Sequence, residues 1–383
     1  MKKVVIVGGG VSGLFLSLFL LKQNHKVHLF EKTSSLGKKF LVAGKSDLNI
    51  TNSENLDVFC AHYTPRIDDS IKYFSNDSLI SFLKEEFDID TFTGTSGRVF
   101  PKDIKASKIL KVIVDSLKAN PDFTLGLNSN LENFSDDKIQ FSAGEVTDFD
   151  AAVFCLGGAS WKITGSDGSW LKTFKDKNIS TTEFKASNCS IELNLSDYFK
   201  EKVSHHFIKN VKLECEKESV QGDIVFNGTK MEGTPIYTMS RFFRENKKVS
   251  FNFKPDMELV KLKRIIDKRD SKKSIVTFLK TTLKLDPFIY SLWREFHSTD
   301  EIKNKLFEMI SSFEISNYKL APIDEAISTI GGVEMSEVDS NYKLKQFNKL
   351  YSIGEMLNWD TITGGYLIQG CISQAFHVSK ALS

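Results

Sequence analysis

The sequence is poor in cysteine, with five such residues among 383. The five are scattered: no two form a C-x-x-C pair, and none lies at metal-ligand spacing from a histidine. This pattern predicts neither a disulfide framework nor a metal site. It is typical of the reduced thiols of a cytoplasmic protein.

A long apolar run is also missing. The apolar stretch at 14–21 is far shorter than the roughly 20 residues that a helix needs to cross a bilayer. Lys2 and Lys3 precede it as they would in a signal peptide, but three glycines interrupt the apolar segment and no small-residue cleavage site follows. We therefore expect a cytoplasmic protein that has no membrane partner.

Charge of one sign is not in excess, because 51 basic residues are balanced by 49 acidic ones. Interspersed signs of this kind give no basic face that follows a phosphate backbone, so nucleic acid is not expected as the main partner. With 41% hydrophobic and 26% charged residues, the composition excludes disordered, collagenous and small secreted classes. The length predicts two or three domains.

The amino-terminal segment contains one βαβ unit. A β-branched strand at 4–7 is followed by a glycine-rich turn, an apolar helix and a second strand. The turn, GGGVSG, fits the G-x-G-x-x-G fingerprint through Gly8, Gly10 and Gly13. These glycines allow a tight turn, close approach of a diphosphate to the backbone, and packing of the helix on the strand. The unit predicts dinucleotide binding.

Glu31 ends the second strand, 18 residues beyond the fingerprint. A carboxylate at this place accepts hydrogen bonds from ribose hydroxyls, and it argues against a 2′-phosphate. The dinucleotide is then NAD or FAD. A long polar loop at 34–55 replaces regular βαβ repeats, and a Gly-Glu pair at 354–355 recurs after an apolar strand, which is typical of flavoproteins. The glycines at 364–365 open a last helix whose positive end would face the flavin pyrimidine.

The pattern of apolar, polar and charged residues changes twice along the chain. Apolar and polar residues alternate from 188 to 255, as in a mostly β domain, and the chain then becomes Lys-rich and helical. It returns to an α/β pattern near the carboxyl end. We expect a Rossmann-like domain at 1–187 plus 345–383, an inserted β domain at 188–255 plus 321–344, and a helical subdomain at 256–320.

Six further motifs occur in a fixed order along nearly the whole chain. They are GKKFLVAGKSDLNITN at 37–52, SGRVFP at 96–101, GGASW at 157–161, GSDG at 165–168, GEMLNW at 354–359 and TGGY at 363–366. In these motifs the sequence resembles the YhiN/BaiN-type bacterial FAD flavoproteins. One motif departs, because the larger branch has Gly-Gly-Gly-Arg-Cys-Asn where this chain has GKSDLN, which resembles a smaller branch.

The resemblance implies an α/β fold: a Rossmann-like FAD-binding domain with an inserted β-barrel-like domain and a helical subdomain. It also implies which residues contact FAD. The diphosphate would be bound by Gly8, Gly10, Val11, Ser12 and Gly13. Glu31 would bind the adenosine ribose, with Lys32 beside it. The remaining contacts would come from Lys38, Lys39, Gly44, Asn49, Leu131, Gly157, Gly354, Glu355, Gly364, Gly365, Tyr366 and Leu367.

The predicted function is an FAD-dependent oxidoreductase that transfers hydride between flavin N5 and a small organic substrate. No second fingerprint follows a strand, so NAD(P)H is expected to bind transiently, without a Rossmann domain of its own. A reductase is preferred. A small-amine oxidase, a flavin-bearing module that binds RNA or protein without turnover, and an NAD-dependent dehydrogenase stay open. Arg98 and Tyr366 are the candidate catalytic residues, and the oligomeric state is not predicted.

Overall fold

The structure is a computed structural model that describes residues 1–44, 48–203 and 205–383. Lys45, Ser46 and Asp47 of the loop expected near the flavin lie outside the described residues. The strands are β1 Lys3–Val7, β2 Lys26–Phe30, β3 Thr51–Asn52, β4 Tyr63–Thr64, β5 Thr91–Thr93, β6 Arg98–Pro101, β7 Phe123–Gly126, β8 Leu131–Ser135, β9 Lys138–Phe141, β10 Gly144–Val146, β11 Ala151–Phe154, β12 Thr181–Ser187, β13 Ile191–Leu193, β14 His206–Cys215, β15 Glu218–Asn227, β16 Lys230–Glu232, β17 Ser250–Asn252, β18 Phe313–Glu314, β19 Tyr318–Leu320, β20 Ser328–Val333, β21 Leu350–Ser352 and β22 Asp360–Thr361. The α-helices are α1 Val11–Lys22, α2 Lys38–Ala43, α3 Leu56–Ala61, α4 Asp68–Tyr73, α5 Asn76–Phe87, α6 Ala106–Ala119, α7 Leu171–Lys175, α8 Asp197–Lys202, α9 Thr234–Arg244, α10 Leu259–Asp267, α11 Ile275–Phe278, α12 Phe288–Phe296, α13 Thr299–Asn304, α14 Leu306–Ser311 and α15 Tyr366–Ala381.

The chain forms two units. Unit 1 comprises Met1–Ala186 and Ile323–Ser383, and unit 2 comprises Ser187–Pro322. A five-stranded parallel sheet, in the order β21-β11-β1-β2-β7, forms the centre of unit 1. The apolar residues of β1 and β11 are buried, as in parallel strands that are covered on both faces. Helix α1, whose residues 12–21 are all buried, packs against α15.

Unit 2 contains a seven-stranded antiparallel sheet in the order β18-β17-β14-β15-β16-β13-β19. Helix α9 packs on β14 and β15, and the later helices bury their apolar faces in the same cluster as the strands. Phe251 of β17, Leu262 of α10 and Trp293 of α12 are among its fully buried members. The strands and helices of 187–322 therefore share one hydrophobic core.

This division differs from the one expected from the sequence at two places. Residues 323–344 belong to unit 1, because β20 pairs with β12 and the backbone N–H of Glu334 donates to the carbonyl of Ser180 at 3.0 Å. The helical stretch 256–320 is not a separate unit, since its apolar side chains complete the core of the antiparallel sheet.

All five cysteines are free and buried. Across the described ranges, no helix is both long enough and apolar enough to span a bilayer. The same ranges contain no group of three or more histidine, cysteine or acidic side chains placed to hold a metal ion.

Candidate dinucleotide site and active site

The glycine-rich turn between β1 and α1 is packed on one side and open on the other. A methyl group built on Gly13 would lie 2.0 Å from the carbonyl oxygen of Gly8, so a larger residue would push the helix away from the strand. A methyl group built on Gly10 would meet no atom within 4 Å. The open side allows a ligand to approach the backbone, as dinucleotide binding requires.

The start of α1 offers unpaired hydrogen-bond donors. Gly10 precedes the helix without a side-chain cap, and the first helical bond runs from Leu14 N to Gly10 O at 3.0 Å. The N–H groups of Val11, Ser12 and Gly13 therefore have no acceptor within the helix. With no acidic side chain in the first turn, this positive helix end favours an anion such as a diphosphate.

Glu31 is held beside this turn by the backbone. Its Oε2 accepts from Gly9 N at 2.8 Å, and its Oε1 accepts from Thr33 N at 2.8 Å. Each carboxylate oxygen keeps a lone pair, so the group can still accept from a ribose hydroxyl. Lys32 forms an ion pair with Asp167, at 2.7 Å.

Lys39 and Glu355, two predicted FAD contacts, lie in direct contact with each other. Lys39 Nζ is 2.7 Å from Glu355 Oε2, and Glu355 Oε1 accepts from Thr329 N at 3.0 Å. Glu355 is buried, with 7% of its surface exposed. The pair joins α2 to the segment after β21. Lys38 forms no such pair within the part of the chain that the structure describes.

The start of α15 is a second uncapped helix end. A methyl group on Gly365 would lie 2.5 Å from the backbone nitrogen of Thr51, so close backbone packing holds the helix end in place. Arg98 lies beside it: its Nε is 3.9 Å from the position of a β-carbon on Gly364. Burial lowers the pKa of the Arg98 guanidinium. A guanidinium keeps its charge at neutral pH, so a cation and a helix dipole act at the same place.

Tyr366, the first residue of α15, belongs to a partly buried polar cluster with Glu54 and His62. Its hydroxyl donates to Glu54 Oε2 at 2.7 Å, and His62 Nε2 lies 2.8 Å from the same oxygen. The side chain of Tyr366 is 2% exposed and its ring packs on Phe59. Burial and the bond to Glu54 raise the pKa of the Tyr366 hydroxyl. Sequence analysis missed Glu54 and His62, because 312 positions separate Glu54 from Tyr366 and no local motif links them.

The other residues predicted to contact FAD are described by their positions and their hydrogen bonds within the protein. The Asn49 amide donates to the carbonyls of Thr51 at 2.8 Å and Val99 at 3.0 Å, which ties the polar loop to β6. The Gly354 N–H donates to Gln374 Oε1 at 2.7 Å. The remaining positions are Gly44 directly after α2, Leu131 first in β8, Gly157 with its carbonyl accepting from Trp170 Nε1, and Leu367 second in α15.

The whole chain corresponds to one protein family. The family described as the HI0933-like protein Rossmann domain matches residues 2–381. The chain belongs to the HI0933-like family. Its Rossmann-type fold agrees with the expectation from the motifs and is confirmed. The expected enzyme class, an FAD-dependent oxidoreductase, is that of the family.

Two relatives of this HI0933-like chain match it over nearly their full lengths. The 3-dehydro-bile acid delta(4,6)-reductase of Clostridium scindens is 22% identical, with 100% of this chain and 99% of that protein covered. The ribosomal RNA dihydrouridine synthase of Haemophilus influenzae is also 22% identical, with coverages of 99% and 98%.

Solved structures show the same fold. The 3-ketosteroid delta1-dehydrogenase of Sterolibacterium denitrificans superposes with a TM-score of 0.52 at 10% identity, covering 100% of this chain and 99% of that one. An open-conformation flavocytochrome c3 fumarate reductase superposes with a TM-score of 0.50 at 14% identity, covering 99% and 78%.

The residues of unit 1 fit FAD. The open side of Gly10 and the unpaired N–H groups of α1 suit a diphosphate, and Glu31 suits an adenosine ribose. The uncapped start of α15 supplies positive potential of the kind that stabilises a reduced flavin ring. The HI0933-like chain thus carries groups whose chemistry suits a diphosphate, a ribose and a reduced flavin ring.

Proposed function

We propose that this HI0933-like protein is a reductase that saturates a carbon–carbon double bond conjugated to a carbonyl group, with NAD(P)H as the electron donor. The names of two of its relatives support this reaction, because a delta(4,6)-reductase of a 3-dehydro-bile acid and a dihydrouridine synthase both denote addition of hydrogen to such a bond. The structural observation that carries the proposal is the position of Arg98 beside the uncapped start of α15.

Bound FAD would supply the hydride, which a reduced flavin gives from N5, and a proton from solvent would complete the addition to the double bond. We assign the diphosphate to the N–H groups at 11–13 and the adenosine ribose to Glu31. The Lys39 and Glu355 pair would bring a cation and a fixed carboxylate to the cofactor. Since the fingerprint at 8–13 is not repeated in the sequence, NAD(P)H would bind transiently and leave.

Arg98 is the proposed catalytic residue. When a double bond conjugated to a carbonyl is reduced, negative charge develops on the carbonyl oxygen. A guanidinium and a helix N-terminus that are already in place stabilise such charge without reorganising. The packing of Gly365 against Thr51 keeps the helix end fixed, so these donors are preorganised.

Tyr366 has a different proposed role. Its hydroxyl keeps its proton throughout the physiological pH range, because burial and the bond to Glu54 raise its pKa. Its buried side chain is bonded to Glu54 and packed on Phe59. We assign Tyr366 as a positioning residue that orients Glu54 against His62 and anchors the start of α15.

The first experiment is spectroscopic. Purified protein should show a flavin spectrum that bleaches anaerobically with NADH or NADPH. An α,β-unsaturated ketone or a uridine-containing RNA should then restore the oxidised spectrum without oxygen, and the product should carry two additional hydrogen atoms by mass spectrometry. Protein that takes up no FAD contradicts the cofactor assignment. Consumption of a small amine with oxygen as the acceptor would favour the oxidase.

A variant isolates the role of Arg98. Arg98→Met should slow reoxidation by the unsaturated substrate about a hundredfold, the usual loss on removing one such donor, while FAD content is retained. Arg66→Met is the matched control, because Arg66 is exposed and pairs with Asp68 on the surface. Equal reoxidation rates in the two variants would remove Arg98 from the reaction.

A further inference from the structure

Basic charge is concentrated in one segment of unit 2. Residues 261–284 hold nine basic and two acidic side chains, whereas the rest of the chain holds 42 basic and 47 acidic ones. The segment covers most of α10, the following loop and α11. Its cations are Lys261, Lys263, Arg264, Lys268, Arg269, Lys272, Lys273, Lys280 and Lys284. The nearly neutral total therefore conceals a local excess, which lies in the Lys-rich stretch of the sequence.

These cations are exposed and lack acidic partners. Eight of the nine are exposed, and Arg269 is half-buried. None of the nine forms an ion pair with any described residue. Elsewhere the usual arrangement is different: Lys84, Lys111 and Lys172 each pair with an aspartate four residues later. The cations of the segment have no such paired acid among the described residues to offset their charge. The segment therefore keeps an uncompensated positive potential that a polyanion would neutralise.

The core of unit 2 holds this segment in place. Leu262 is fully buried, and Ile265 and Ile266 pack on the same apolar cluster. Lys268 with Arg269, and Lys272 with Lys273, are adjacent in the chain. The potentials of charges closer than the screening length of about 8 Å at physiological salt add. A fixed, additive positive surface is the electrostatic arrangement that binds a phosphodiester backbone.

A lipid surface fits the segment less well than a nucleic acid. Helices that bind at a bilayer surface present an apolar face to the acyl chains. In α10 the apolar face is already used, because Leu262 and its neighbours are packed in the core. Leu259, Val260 and Val276 are the exposed large apolar side chains of this region, too little apolar area for stable insertion.

We propose that the segment 261–284 is a binding surface for the phosphate backbone of RNA. The inference deepens the proposed function and rests on it for the substrate class, because uracil in RNA contains a double bond conjugated to a carbonyl. Binding itself requires no electron transfer, so it is measured on the oxidised protein without a donor.

The test uses the full chain and a fluorescent, mixed-sequence single-stranded RNA oligonucleotide, with anisotropy followed over a range of salt concentrations. The triple variant Lys268→Gln, Lys272→Gln, Lys273→Gln should weaken binding about tenfold at low salt. It should also lower the slope of log K against log salt by about two, since each phosphate contact on a single strand contributes about 0.7.

A matched control removes the same charge elsewhere. Lys111→Gln, Lys138→Gln, Lys172→Gln changes three exposed lysines of unit 1 that pair with acids, and it should leave RNA binding unchanged. Both triple variants should keep the thermal unfolding midpoint of the parent. Equal RNA affinity in the two variants overturns the proposal.

Two further measurements separate the remaining outcomes. If the 268/272/273 variant loses binding to vesicles of phosphatidylcholine and phosphatidylserine while RNA binding persists, the segment is a lipid surface and the proposal fails. Loss of RNA binding with intact anaerobic bleaching by NAD(P)H supports it. If NAD(P)H fails to bleach the flavin in every variant while RNA binding is retained, the proposed reductase activity is contradicted and the RNA-binding proposal is not.

Discussion

The glycines of the fingerprint have different physical roles, and single substitutions can separate them. Gly13→Ala would place a methyl group 2.0 Å from a backbone oxygen, so we expect the free energy of unfolding of the apoprotein to fall by about 1–3 kcal/mol. Gly10→Ala meets no atom, and the φ of −80° at this position suits alanine, so stability should be unchanged. Urea unfolding of both variants measures this difference.

Gly10→Ala should nevertheless weaken FAD binding, because the methyl group projects into the open side of the turn where the diphosphate is expected. Titration of the apoprotein with FAD, followed by flavin fluorescence, gives the affinity. An affinity equal to that of the parent would show that the diphosphate does not lie against this turn.

Single residues differ in how far the sequence alone can predict their place. Glu31 was predictable, because its position at the end of β2 follows from a local βαβ pattern. Glu54 and His62 were not, since they meet Tyr366 only through the folding of distant segments. The pairing of Lys39 with Glu355 was likewise hidden, although each had been singled out as a cofactor contact.

At the scale of elements, the Lys39–Glu355 pair joins α2 to the segment after β21. Lys39→Met would leave a carboxylate that is 7% exposed without its cation, although the N–H and the hydroxyl of Thr329 would still donate to it, so stability should fall by about 2 kcal/mol. Lys38→Met, at the adjacent position, should change stability by less than about 0.5 kcal/mol. Chemical denaturation measures both.

A double variant checks the cause of that loss. Adding Glu355→Gln to Lys39→Met removes the unpaired charge and should recover part of the stability. If the two single changes are simply additive, the two side chains do not interact energetically in solution.

Helices α4 and α15 meet through a buried network that depends on pH. Ser70 Oγ lies 2.9 Å from His377 Nδ1 and 2.6 Å from the Tyr342 hydroxyl. Burial lowers the pKa of His377, so the folded protein keeps this imidazole neutral. In the unfolded chain this imidazole binds a proton near pH 6.5, so the contribution of His377 to the free energy of unfolding is fully present above that pH. It is lost as the pH falls from there towards the folded pKa.

The variant His377→Gln should have a flatter dependence of unfolding free energy on pH between about 7 and 5 than the parent, because one proton-linked group is removed. Other histidines whose pKa is lowered by burial, such as His25 and the partly buried His28, remain in both proteins and cancel in the difference. An unchanged pH dependence would mean that His377 is not the group that titrates.

Elements with local signals were predictable from the sequence, and elements with distant partners were not. The unit β1-α1-β2 follows from a buried strand, a glycine turn and an apolar helix. The strand β20 was assigned to the inserted domain, because its partner β12 lies far earlier in the chain and nothing local to either strand indicates the pairing. Pairing over such a separation is decided by packing of the whole unit.

At the scale of the whole molecule, composition concealed two features. The nearly neutral net charge gave no sign of the basic segment in unit 2, because acidic residues elsewhere compensate for it. The changes of residue pattern along the chain suggested three domains. The helical stretch 256–320 and the antiparallel sheet nevertheless bury their apolar side chains in one cluster. Averages over a sequence do not show where in the fold its residues gather.

Every residue expected to hold FAD lies in unit 1, and each unit has its own apolar cluster. A ligand at a hundred times its dissociation constant stabilises the form that binds it by about 2.7 kcal/mol. Amides of 1–186 and 323–383 that exchange through opening of unit 1 should therefore slow by up to about a hundredfold with FAD. Hydrogen–deuterium exchange, compared with and without FAD, measures this slowing peptide by peptide.

Amides within 187–322 provide the internal control, because none of the expected contacts lies there. Little or no slowing in unit 2 would show that it opens separately from the cofactor-binding unit, whereas equal slowing in both would show that they unfold together. Slowing confined to unit 2 would indicate that FAD binds in unit 2 and not in unit 1. The assignments of Glu31 and of the start of α1 would then have no basis.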